Sequence, residues 1–218
     1  EELGLHFTVG VLLMLGAAWI FGGIAEDVVE REEITVLDEW LAHWFHAQAR
    51  PGFTQAMLLL THWHNTAGML TMTALLGAYF YVRKANYWLL ALLSAVPGGM
   101  LLNVALKNVF QRARPSFDNP LLTLATYSFP SGHTVAATLF YGLLACYLVV
   151  LVKRWRTRAA VVAAACAIAV LVGLSRMCLG LHYFSVVLAA MAQGCGWLAV
   201  CITGVSTLRR RRAARATS

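Results

Sequence analysis

The chain has 218 residues, of which 60% are hydrophobic and only 12% charged. Soluble domains are about half apolar and a quarter charged, so this balance excludes an ordinary water-soluble globule and predicts an integral membrane protein. The net charge of +7 does not argue for a nucleic-acid partner, because the basic residues fall where membrane topology would put them.

Apolar runs of near-spanning length predict six transmembrane helices, at roughly 4–25, 54–82, 87–110, 133–152, 158–175 and 186–207. With no internal repeat and no low-complexity linker, they read as one all-α membrane bundle, a single domain over residues 1–218. After the first span, seven carboxylates lie between Glu26 and Glu39. Within that loop Ile34, Leu37, Leu41, Trp44 and Phe45 recur at helical spacing, which predicts a short amphipathic helix lying on the membrane surface. The second span carries a polar stretch, THWHNT at 61–66. His62 and His64 are two positions apart and so point to different faces, which speaks for hydrogen bonds between helices rather than a shared metal. A place at a lipid entrance is the sharper reading. Asn103 and Gln193 read as polar packing groups. Cys146, Cys166, Cys178, Cys195 and Cys201 lie in or beside apolar spans without metal-ligand spacing and read as small packing residues.

Lysines and arginines in short loops set the orientation. Arg83 and Lys84, the group Lys153 to Arg158, and the tail Arg209 to Arg215 follow alternate spans. Those segments and both termini are therefore expected in the cytoplasm, with the acidic loop outside. The remaining cations break this pattern. Lys107, Arg112 and Arg114 end the third span, His133 begins the fourth, and Arg176 and His182 end the fifth. An even number of crossings separates them, so all are expected at the outer face. Charge at membrane depth is costly and tends to be functional. Several cations without carboxylates need an anion, and Arg and Lys suit phosphate oxygens. In PSGH, Gly132 permits close approach of backbone amides, and a helix beginning there adds N–H donors for the same anion.

Three ordered elements carry a family resemblance. Lys107 through Arg114-Pro115 match K-x6-R-P, Pro130-Ser131-Gly132-His133 match P-S-G-H, and Ser175-Arg176 with His182 match S-R-x5-H. The chain thus resembles the membrane-bound type 2 phosphatidic acid phosphatases, the lipid phosphate phosphatases. The resemblance implies a metal-independent, cofactor-free, two-step phosphoryl transfer. His182 would be the nucleophile and form a phosphohistidine; His133 would protonate the leaving oxygen and then activate water. Lys107, Arg114 and Arg176, with the Ser131 hydroxyl and the Gly132 amide, would hold the phosphoryl oxygens. Arg112 lies outside the pattern and reads as a headgroup contact or an anchor.

One position departs. The family pattern ends H-x3-D, and this chain has Val186 where the aspartate would be. With His182 read as beginning the last helix, that carboxylate would sit one turn above the imidazole, fix its tautomer and stabilise its cationic form. Valine does neither. Ser185 and Asp118 are substitutes without the required spacing. The expectation is an impaired phosphatase for undecaprenyl diphosphate, phosphatidylglycerol phosphate or phosphatidic acid, in a bacterial cytoplasmic membrane. The rivals are a non-catalytic lipid-phosphate binder and a lipid phosphotransferase; a transporter is disfavoured because the polar groups gather at one surface rather than the midplane.

Overall fold

The computed structural model describes residues 2–122 and 124–216, with side chains described for 7–122 and 124–215. Eight helices follow one another: α1 (Glu2–Glu30), α2 (Glu33–Ala47), α3 (Pro51–Trp63), α4 (Thr66–Val82), α5 (Asn86–Phe110), α6 (Gly132–Leu151), α7 (Trp155–Cys178) and α8 (Phe184–Ala216). No strand occurs among the described residues. Within α1, α5, α6, α7 and α8 lie apolar stretches long enough to cross a membrane, and α4 is a shorter apolar helix.

The second predicted span is therefore two helices, not one. His64 and Asn65 interrupt it, and the Asn65 side chain accepts from the Gly68 amide at 2.8 Å, capping α4. An amide that bonds its own backbone offers the chain an alternative to the helix. Pro51 opens α3 at a position where a missing N–H costs nothing. Ser131 caps α6 through the Thr134 amide and also accepts from the Thr134 hydroxyl at 3.0 Å.

The bundle closes around α6, whose Val135, Leu139 and Leu143 are fully buried against Phe80 and Leu92. Helices α5 and α8 meet over a glycine. A Cβ on Gly99 would stand 2.9 Å from Cδ1 of Trp197 and would collide with Cδ1 of Leu139. Asn103, wholly buried, donates to the Pro130 carbonyl and to Gln193 Oε1, while Gln193 donates to the Gly99 carbonyl. These two amides are satisfied packing groups joining α5 to α8 and to the start of the PSGH motif. Outward residues such as Leu12, Leu75 and Leu101 are exposed, as befits a surface whose solvent is lipid.

The amphipathic α2 shows a division that periodicity alone does not reveal. Asp38 and Ala42 face the bundle and are buried, while Leu37, Trp40 and Trp44 are exposed. Asp38 accepts from the Ser185 amide at 2.8 Å, from the Ser185 hydroxyl, and from Arg112 at 2.8 Å. A carboxylate from another helix thus caps the first turn of α8, where the helix dipole favours negative charge. Arg112 completes the arrangement by donating to Ser185 Oγ at 2.7 Å and lying 4.5 Å from the Tyr183 ring centroid. Its expected headgroup or anchoring role gives way to an internal ion pair. Removing one partner of such a pair strands the other, so Asp38→Ala should cost about 3 kcal/mol. In detergent its thermal midpoint should fall by about 6–12 °C; a shift under about 2 °C would discard this account of α2.

Candidate active site

Three segments bring the site together. The end of α5 and the loop after it supply Lys107 and Arg114, the start of α6 supplies Ser131, Gly132 and His133, and the end of α7 with its following turn supplies Arg176 and His182. The turn depends on Gly180, whose φ of +68° lies in the left-handed region, and whose missing Cβ would stand 2.8 Å from Phe117. Chain reversal there lays the loop after α5 against the residues leading to His182. Helix α8 begins only at Phe184. His182 therefore stands in the turn ahead of the helix rather than inside it, which corrects the expectation that it opens the helix with Val186 one turn above.

His182 is 3% exposed. Its Nδ1 lies 3.1 Å from the Ser128 hydroxyl and its Nε2 lies 3.3 Å from a guanidinium nitrogen of Arg114. Burial holds the imidazole well below its usual protonation range, and the neighbouring charges of Arg114, Arg176 and Lys107, with His133, push the same way. The titratable groups that act on it are all cationic or imidazole. The structure thus gathers Lys107, Arg114, Arg176, His133 and His182 in one place.

The cations are held mainly by neutral oxygens. Lys107 donates to the carbonyls of Tyr127 and Ser128 at 2.6 and 3.4 Å. Arg114 donates to the carbonyls of Thr126 and Leu181, both at 2.7 Å, and to the Thr126 hydroxyl at 2.9 Å. Arg176, almost fully buried, donates to the Thr61 hydroxyl at 3.0 Å, and its Nε has no partner among the described residues. A buried charged donor left unbonded is costly unless an anion satisfies it. Ser131 is fully buried and engaged as a cap, and Gly132 starts α6, where a Cβ would come 3.3 Å from Asn103 Oδ1. The site has the equipment for a phosphoryl group: a fork, a point charge, a helix N-terminus and two imidazoles.

Beside His133 opens a cleft of about 490 Å³, lined by Thr61, His62, Asn65 and Leu122, with Leu58 and Leu59 deeper in α3. His64 is buried and bonds the Leu60 carbonyl through Nδ1 and the Tyr141 hydroxyl of α6 through Nε2. The polar stretch of the second span therefore serves both ends: His64 ties two helices, while His62 and Asn65 line the cleft.

Val186 is fully buried in a cluster with Ala25, Phe129 and Ala189, backed by Phe21 and Phe110. Neither proposed substitute for the absent carboxylate reaches His182: Ser185 is held by Asp38, and Asp118 is exposed in the loop. Sequence reasoning missed Asp38, Thr61 and Ser128. Ser128 stands two residues before the PSGH motif, and that proximity is the one local signal for it.

The pattern matched by a family model covers residues 86–210, described as the PAP2 superfamily. The chain belongs to the PAP2 superfamily. It is 36% identical over 174 residues to Phosphatidylglycerophosphatase B of Bacillus subtilis (strain 168), covering 78% of each protein. It also superposes on the crystal structure of a transmembrane PAP2 type phosphatidylglycerolphosphate phosphatase from Bacillus subtilis. That match has a TM-score of 0.73 at 29% identity and covers 93% of this chain and 96% of the other. LpxE of Aquifex aeolicus shares the fold, with a TM-score of 0.57 at 20% identity, covering 75% of this chain and 94% of its own. This PAP2 chain is thus an all-helical, multi-pass membrane protein, related to hydrolases of lipid phosphates.

The buried, neutral state of His182 has a consequence for stability. Its folded protonation range lies below that of an unfolded histidine, near 6.5. Below about pH 6.5 the unfolded chain binds the extra proton, so stability contributed by the neutral ring is present above that pH and lost as pH falls. Thermal midpoints of the parent should therefore drop between about pH 6.5 and 5, and His182→Gln should flatten that slope. An equal slope in both proteins would contradict the assignment.

Proposed function

We propose that this PAP2 protein hydrolyses a lipid phosphate or diphosphate at the outer face of a bacterial cytoplasmic membrane, through a phosphohistidine and without a metal. The observation carrying the reading is the convergence of Lys107, Arg114 and Arg176 on two imidazoles, with a buried Arg176 Nε that lacks a partner among the described residues. Six crossings, with α3 and α4 making one between them, would put both termini in the cytoplasm and the cleft outside, in a single domain.

In the first step the Nε2 lone pair of His182 attacks phosphorus in line, and the bond from phosphorus to the lipid oxygen breaks. His133 gives that oxygen its proton. Arg114, Arg176 and Lys107, with the Gly132 amide and the Ser131 hydroxyl, carry the charge on the three phosphoryl oxygens. In the second step His133 takes a proton from water, the resulting nucleophile attacks the phosphohistidine, and inorganic phosphate leaves with His182 restored. Among the candidate substrates, phosphatidylglycerol phosphate is favoured by the likeness to Phosphatidylglycerophosphatase B; undecaprenyl diphosphate and phosphatidic acid use the same cradle.

Val186 weakens the first half of this chemistry, in which the imidazole gains charge. Without a carboxylate, the positive charge on the phosphorylated imidazole has no counter-charge. In the Ser-His-Asp triad, neutralising the equivalent acid costs about 10⁴ in turnover. That same valine favours one rival, a binder that holds lipid phosphate without turnover.

Phosphate release from a panel of lipid phosphates in detergent micelles with excess chelator separates these readings. Release should persist in chelator and fall by about 10²–10⁴ in His133→Ala. His182→Ala should abolish it. Val186→Asp should raise turnover at least about tenfold, toward the triad value; no gain would remove the explanation of impairment. Binding without release in both backgrounds would favour the binder.

A further inference from the structure

The missing carboxylate raises the question of what orients His182. The geometry points to Ser128: we propose that its hydroxyl accepts the Nδ1–H of His182 and so presents the Nε2 lone pair to phosphorus, a positioning role that the family aspartate would otherwise fill. The inference rests on the phosphatase reading for its catalytic meaning, but the hydrogen bond itself does not.

The argument is one of donors and acceptors. Arg114 lies 3.3 Å from Nε2 of His182, and a guanidinium has only donors. Nε2 must then be the lone-pair nitrogen. In a neutral imidazole the other nitrogen carries the proton, so Nδ1 donates and the Ser128 oxygen, 3.1 Å away and fully buried, receives. The ring is kept neutral by burial and by the surrounding cations. Nε2 is also the nitrogen on the side of the cationic cradle, where a phosphoryl group would sit.

Ser128 is held firmly enough to do this. Its amide donates to the Arg112 carbonyl at 2.8 Å, and its carbonyl accepts from Lys107. Arg112 is itself fixed by Asp38. The next residue, Phe129, is fully buried in the cluster that contains Val186. So the residue after the serine packs with Val186, and apolar side chains fill the place where the family pattern has the aspartate. A hydroxyl dipole fixes a tautomer, but it stabilises an imidazolium far less than a carboxylate would. Ser128 therefore preserves orientation and not the counter-charge, which leaves a slow nucleophile rather than none.

Two measurements test this. In the ¹⁵N-histidine spectrum of the detergent-solubilised chain near pH 7.5, with His182→Gln used for assignment, His182 should be the Nδ1–H tautomer. Ser128→Ala should move it toward the Nε2–H form, and Ser128→Cys, which keeps the volume but offers only a weak acceptor, should fall between. An Nε2–H tautomer in the parent, or one unchanged in Ser128→Ala, would overturn the proposal. On phosphate release, Ser128→Ala should lower kcat by about ten- to a hundredfold with KM within about twofold. In the Val186→Asp background the same substitution should cost under about threefold, because the new carboxylate takes over the bond. An equal loss in both backgrounds would count against it. If no lipid phosphate is hydrolysed in any background, the phosphatase reading fails, while the tautomer spectrum still decides the hydrogen bond.

Discussion

Everything in this site follows from like charges held close together. Two unit charges 4 Å apart repel by about 4 kcal/mol at the effective dielectric of a protein surface. Lys107, Arg114 and Arg176 all act on one buried imidazole, and among the described residues no carboxylate joins them. The repulsion is not cancelled by counter-ions but spread over carbonyl oxygens of residues 126–128 and 181 and two threonine hydroxyls. Neutral oxygens position a cation without neutralising it. The electric field is thereby kept for an incoming anion, and its binding relieves a tension the fold has built in.

The chain itself announces most of this, because the groups proposed to hold a phosphate cluster in short runs. Lys107 and Arg114 lie within eight residues, and PSGH is contiguous. Apolar length likewise makes the long helices readable. What stayed hidden depends on contacts between distant parts of the chain. Asp38 looked like one more acid in an acidic loop, and only packing sets it against Ser185, 147 positions away. Thr61 reaches Arg176 across 115 positions. The break at His64 and Asn65 was legible as polarity but not as a helix end, since a capping side chain wins only when the next turn is free to restart.

Val186 shows how a fold can outlast one of its chemical parts. A carboxylate there would need partners in a cluster of phenylalanine and alanine side chains; a valine needs none. The surrounding machinery is nevertheless retained in full: the cations, the cap at Ser131 and the imidazoles. Apolar packing thus occupies the position where the family pattern has a charge.

The fastening of α2 has a further meaning. This helix is fastened by Asp38, which grips both Ser185 in the first turn of α8 and the arginine whose carbonyl steadies Ser128. Displacing α2 would therefore loosen the first turn of α8 and the support of Ser128 together, through one carboxylate.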